Sequence, residues 1–221
     1  MDKLERKFPT GKPTLYGAPY SVYVRSARLG LEEKGVAYHL EPVDVFAENG
    51  VPDWYLALNP FGKIPTLCHE NAVLFETSAI LRYIDEAFEG VRLQPRDPMR
   101  RARMNQVLSI LDNYIYPHLV WDIYVERIVN ARNGTTDELK IAAAIPVASQ
   151  ALTSISAILS NGPWLLGDEI SLADLHAAAM LSLASNAPEC KMLILEHPAL
   201  EDWLARMEAR PSMQRTTSRA D

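Results

Sequence analysis

The apolar pattern changes character near residue 93, and that change restricts the chain to two differently built parts. Before it, short apolar runs alternate with amphipathic stretches; after it, strand signals stop and only helical spacing remains. Thr14-Leu15-Tyr16-Gly17 reads as a short strand. Residues 21–34 read as a helix, with Val24, Ala27 and Leu31 on one face and Gly35 where a left-handed C-terminal residue belongs. Residues 37–45 form a second strand candidate. Residues 64–68 and 72–75 read as a hairpin around His69-Glu70-Asn71, followed by an amphipathic helix over 77–88. The order β-α-β, then β-β-α, predicts a mixed sheet. Its strand–helix–strand unit gives a parallel pair with a right-handed crossover, and the hairpin adds antiparallel strands.

The segment Val91-Arg92-Leu93-Gln94-Pro95-Arg96-Asp97-Pro98 suits an exposed linker. Beyond it, Met104, Val107, Leu108, Leu111 and Ile115 follow helical spacing, and Pro117 is expected to bend or break that helix. Ile141, Ile145, Ala148, Leu152, Ile155 and Leu159 form a second seam, with a kink expected at Pro146. Further helices are expected from Ser171 and over 200–208. The reading is therefore an α/β domain over 13–93 followed by an all-helical domain over 99–218.

Composition narrows the function classes. A net charge of −6 with no clustered basic face argues against a nucleic-acid partner. Arg100, Arg101 and Arg103 read as a solvated helix start. Two cysteines cannot build a disulfide framework or a zinc ribbon, so no metal site is expected and a reducing, cytoplasmic setting is. The start MDKLERKFPTGK has charges without an apolar stretch behind them. No apolar run reaches the ~20 residues of a membrane span, so no membrane partner is expected.

Four local features could carry chemistry, each with a plainer structural meaning. Pro19-Tyr20-Ser21-Val22 puts a hydroxyl at a helix start, either as a simple N-cap or as a donor to an anion there. Asn59-Pro60-Phe61-Gly62-Lys63-Ile64-Pro65 is a tight turn before a strand; a cis bond at Pro65 would turn the Ile64 backbone outward for pairing with an extended ligand. Leu74-Phe75-Glu76-Thr77-Ser78 places a carboxylate and two hydroxyls at another helix start. They suit either capping or an amino-acid head group. Ser171-Leu172-Ala173-Asp174, flanked by Ile170 and Leu175, reads as a capping box and hydrophobic staple, a folding feature with no catalytic role.

Taken together in order and spacing, these segments resemble the cytosolic glutathione transferases from about Thr14 to Thr216. LYGAPYSVYVRSARLGLEEKGVAY is similar to the first strand and helix of the serine-type classes, including phi and related bacterial enzymes. NPFGKIPTL resembles the cis-proline loop, LFETSAI the γ-glutamyl-binding motif, WLLGDEISLADL the box and staple of a buried helix, and RPSMQRT the end of the last helix. The resemblance implies a thioredoxin-like domain that binds glutathione as co-substrate, a helical domain that contributes the electrophile site, and a homodimer. It implies that Ser21 activates the sulfur and that the Ile64 backbone pairs with the cysteinyl unit beside cis-Pro65. Glu76 and Thr77 are implied to bind the γ-glutamyl group, and Lys63 to contact the tripeptide. The implied activity is conjugation of glutathione to a small hydrophobic electrophile, a detoxification chemistry. Glutathione-dependent peroxidase, disulfide-reductase or isomerase activity on the same fold is an alternative, as is a non-catalytic glutathione-binding interaction module.

The chain departs from that pattern in places. Thr77 replaces the usual serine, and residues 42–58 contain no basic side chain for the glycyl carboxylate. Tyr20 and Tyr23 are alternatives to Ser21 as the sulfur's partner. No cysteine occupies residues 16–25, against a cysteine-type reductase. Cys68 and Cys190 read as packed thiols. Tyr114, Tyr116, Trp121 and Tyr124 lie in one long helix, as core or as electrophile contacts.

Overall fold

The computed structural model describes residues 11–217. They fall into two compact units: one runs to Val91 and takes in the chain from Arg215 on, and the other spans Arg92–Gln214.

The first unit contains strands β1 (Thr14–Tyr16), β2 (His39–Glu41), β3 (Thr66–His69) and β4 (Ala72–Phe75), with helices α1 (Val22–Glu33), α2 (Asp53–Leu56) and α3 (Thr77–Ala87). The sheet order is β2-β1-β3-β4. β1 is parallel to β2 and antiparallel to β3, which pairs antiparallel with β4. This is the mixed sheet expected from the element order. Leu15 and Leu67 from the sheet pack with Val24, Ala27 and Leu31 of α1 and Ile80 and Ile84 of α3. A Cβ at Gly30 would stand 3.2 Å from Leu81 Cδ2, so the small residue lets α1 and α3 approach closely.

Two elements of this unit differ from expectation. β2 is shorter than residues 37–45, because Pro42 lacks an amide hydrogen and Val43 onward turns away as a loop. The turn of helix α2 was missed, being too short to show a period.

The second unit contains α4 (Pro98–Ile110), a wide π-wound segment (Leu111–Val129), a short 3₁₀ turn (Asn130–Asn133), α5 (Glu138–Ile158), α6 (Leu172–Ala184), α7 (Pro188–Leu195), α8 (Pro198–Glu208) and α9 (Pro211–Thr216, whose last residues belong with the first unit). Pro117 does not end the helix: the chain continues through it to Val129 with i→i+5 winding. The wider turn makes room for the pyrrolidine ring against the preceding turn. Tyr116 and Trp121, five residues on, stand with ring centroids 6.4 Å apart and planes tilted by 45°. α5 likewise runs uninterrupted through Pro146.

By length and composition α5 could cross a membrane: an 18-residue window has mean hydropathy 1.6. This corrects the expectation that no run comes close; the value is carried by the isoleucines, valine and leucine of residues 141–158, with alanines between them. The helix packs instead as a core element, burying Ile141, Ala144, Ala148, Leu152 and Ile155 on one stripe.

α6 begins at the predicted box. The amide and hydroxyl of Ser171 donate to Asp174 Oδ2 at 2.8 and 2.7 Å, while Oδ1 accepts from Leu165 N and Trp203 Nε1, both at 2.8 Å. Asp174 is fully buried, so this carboxylate joins α6, the preceding loop and α8 through four donors.

Candidate active site

The strand register collects the predicted residues at one end of the sheet. Tyr16 at the end of β1 pairs with Thr66 at the start of β3, and Thr66 pairs with Phe75 at the end of β4. Residues just beyond those positions must emerge together: Gly17 to Ser21 after β1, Ile64–Pro65 before β3, and Glu76–Thr77 after β4. Gly17 tightens the assembly, since a Cβ there would lie 2.4 Å from Val24 Cγ2 and 3.4 Å from Ile64 Cβ. Only glycine lets the first turn of α1 and the Ile64 loop close on β1.

Ser21 is the N-cap of α1, in extended conformation, and its Oγ accepts from Val24 N at 3.4 Å. That bond is long. A hydroxyl accepts and donates at once, so the Ser21 proton stays available to an anion at the helix's positive end. The capping and functional readings therefore coexist.

The peptide bond Ile64–Pro65 is cis. Two residues brace the backbone just ahead of it. The Lys63 carbonyl accepts from Tyr55 Oη at 2.7 Å and from Asn59 Nδ2 at 2.8 Å. Tyr55 is fully buried and its oxygen also lies 2.9 Å from Thr66 Oγ1. Asn59 Oδ1 in turn accepts from Phe61 N at 3.1 Å. Sequence reasoning missed Tyr55. Its signal was faint: one tyrosine in a helical turn of four residues. Asn59 was within the motif, but its carbonyl-holding role depends on a loop geometry that spacing does not show.

Glu76 sits at φ 68°, ψ 110°, a region that costs a non-glycine residue about 1–3 kcal/mol. Although it occupies the N-cap of α3, its side chain makes no capping bond. Among the described residues its carboxylate has no hydrogen-bond or ion-pair partner, and neither has the exposed ammonium of Lys63. Thr77 is buried directly behind Glu76. The end of the sheet thus carries an uncommitted anion at Glu76 and an uncommitted cation at Lys63, the residue just before Ile64.

One alternative to Ser21 is engaged elsewhere. Tyr20 Oη donates to Asp44 Oδ1 at 3.0 Å, which occupies its proton. Cys68 is buried in β3. Cys190 is buried in α7, where loss of solvation pushes its thiol up to about 12. Neither thiol is a ready nucleophile. Among the described residues no cluster of metal-ligating side chains occurs.

Residues 15–92 match the glutathione S-transferase N-terminal domain model, and residues 126–215 match the C-terminal domain model. The chain is 33% identical to glutathione S-transferase F14 of Arabidopsis thaliana over 84% of its own length and 75% of that protein. The chain belongs to the glutathione S-transferase family. It is also 31% identical to a stringent starvation protein A homologue of Pasteurella multocida, over 76% of this chain and 73% of that one. Among solved structures, a glutathione S-transferase-I bound with lactoylglutathione superposes with TM-score 0.79 at 26% identity, covering 94% of this chain and 99% of that one.

Proposed function

We propose that this family member binds glutathione at the sheet end, holds it as a thiolate beside Ser21, and conjugates it to a small hydrophobic electrophile. The observation that carries the reading is the pair of uncommitted charges, Glu76 and Lys63, in the segments that meet at the sheet end with the Ile64 backbone. Glutathione is an extended tripeptide with an ammonium and a carboxylate at its γ-glutamyl end and a second carboxylate at its glycyl end. Glu76 accepts from the ammonium, and the Thr77 hydroxyl and first amides of α3 take the adjacent carboxylate. Lys63 takes the glycyl carboxylate, with charge assistance. The amide and carbonyl of Ile64 pair with the cysteinyl unit, which sets its sulfur over the start of α1.

Ser21 then donates a hydrogen bond to the sulfur and is never itself a nucleophile. A free thiol with pKa near 8.5 is about 3% thiolate at pH 7. Lowering it to about 6.5 raises the thiolate to roughly 75%, a differential stabilisation of about 2.7 kcal/mol. One hydroxyl donor plus a helix N-terminus is of the right size to supply this. The helical unit is proposed to add electrophile contacts. The family also supports a homodimer in a reducing compartment, with sedimentation mass near twice 24.7 kDa as the check.

Calorimetry tests the binding roles. Glu76→Gln should weaken glutathione binding by about 10- to 100-fold, the range for a lost charged hydrogen bond. An unchanged Kd would remove Glu76 from the site. A relative with a name other than transferase, the stringent starvation protein A homologue, keeps a second reading in view, a non-catalytic glutathione-binding interaction module. That reading requires that purified protein show no conjugation of glutathione to a hydrophobic electrophile.

A further inference from the structure

The loop after β2 carries a second constellation beside Ser21. Tyr20, immediately before it, and Phe46 hold their rings 6.2 Å apart between centroids with planes tilted by 31°. Both rings are exposed, Tyr20 at 47% and Phe46 at 65%. One carboxylate fixes the pair: Asp44 Oδ1 accepts from Tyr20 Oη at 3.0 Å and from the Phe46 amide at 2.9 Å. Val43, buried at 4% exposure, anchors the loop just ahead of it. Two large rings turned towards solvent beside a helix N-terminus bury no core surface, and their geometry lies within the range for productive aromatic pairs. An acidic side chain spent on aligning them is otherwise unexplained.

We propose that Asp44 is a positioning residue for the electrophile. By holding Tyr20 and Phe46 together, it builds an aromatic wall against which a flat ring carried on the glutathione sulfur stacks. The wall makes the site discriminate between planar aromatic groups and small aliphatic ones. This rests on glutathione binding with its sulfur at Ser21. The same bond directs the Tyr20 proton away from the sulfur.

Three ligands separate the wall from the rest of the site: glutathione, S-methylglutathione and S-(2,4-dinitrophenyl)glutathione, titrated calorimetrically. Phe46→Ala should weaken the dinitrophenyl ligand by about 2- to 10-fold, the range for one aromatic pair, and leave the other two unchanged. Asp44→Ala and Tyr20→Phe should each produce a smaller loss of the same kind. Their double variant should be no worse than Asp44→Ala alone, because Tyr20→Phe breaks one of the two bonds that Asp44→Ala breaks. Asp44→Asn should restore wild-type selectivity, since its amide oxygen accepts both donors. Circular dichroism checks that the variants fold. Equal losses for all three ligands, or full dinitrophenyl affinity in both Phe46→Ala and Asp44→Ala, would overturn the wall while leaving the glutathione site standing. Failure of the wild type to bind any of the three overturns the glutathione reading, and the wall with it.

Discussion

The Lys63 carbonyl accepts two side-chain hydrogen bonds, from Tyr55 and Asn59, and the residue it precedes is the one proposed to pair with the ligand backbone. Such bracing holds a site within the fraction of an ångström that binding demands. Asn59→Ala should therefore raise the glutathione Kd by about 2- to 10-fold, the value of one net hydrogen bond, although Asn59 is not proposed to touch the ligand. Calorimetry with unchanged affinity would show that Tyr55 alone suffices. Part of this was legible beforehand. Ser21, Ile64, Pro65, Glu76 and Thr77 lie in motifs that resemble those of the family, and it is that resemblance, rather than spacing alone, that implies their ligand roles. Tyr55 was not legible, because its role arises from a contact across a loop. Nor was the left-handed backbone of Glu76, which is imposed by the β4–α3 junction rather than by local preference.

At the scale of elements, two charge clusters organise the helical unit. Asp174 gathers four donors from three segments in a fully buried position. Asp174→Asn turns an acceptor edge into a donor and orphans at least the Ser171 amide. Urea unfolding should show a loss of about 2–4 kcal/mol, and a change under 0.5 kcal/mol would contradict the hub. The capping box at this point was readable from S-x-x-D spacing, but the Trp203 bond across to α8 was not. Glu126, in the π-wound segment, is held from its ordinary 4.5 down to about 2 by hydrogen bonds from Asn130 and Lys140. A depressed carboxyl contributes stability above its unfolded value and loses it as pH falls through the folded one. The wild type should therefore lose stability between about pH 4.5 and 2. Glu126→Gln should flatten that part of the profile, and equal pH slopes in the two proteins would remove Glu126 from the account. The course of the chain through Pro117 illustrates the opposite case. Proline reads as a helix terminator, and only the widened winding shows how the helix tolerates it.

For the whole molecule, the division into an α/β part and a helical part was visible because periodicity switches once and does not return. The lengths of β2 and of helix α2 were not visible, since elements of three or four residues carry too few repeats for a period to show. A net charge of −6 without a basic face is compatible with a small-molecule site flanked by isolated charges. The central claim is that Ser21 and the α1 N-terminus hold glutathione as a thiolate. Thiolate ultraviolet absorbance of bound glutathione, followed from pH 5 to 9 in wild type and Ser21→Ala, tests it most directly. The account predicts a bound thiol titrating near 6.5 in the wild type, about two units below its free value, and close to the free value in the variant, with turnover reduced by about 10- to 1000-fold. A wild-type thiol that titrates near 8.5, or a variant with the same depressed value, would contradict it.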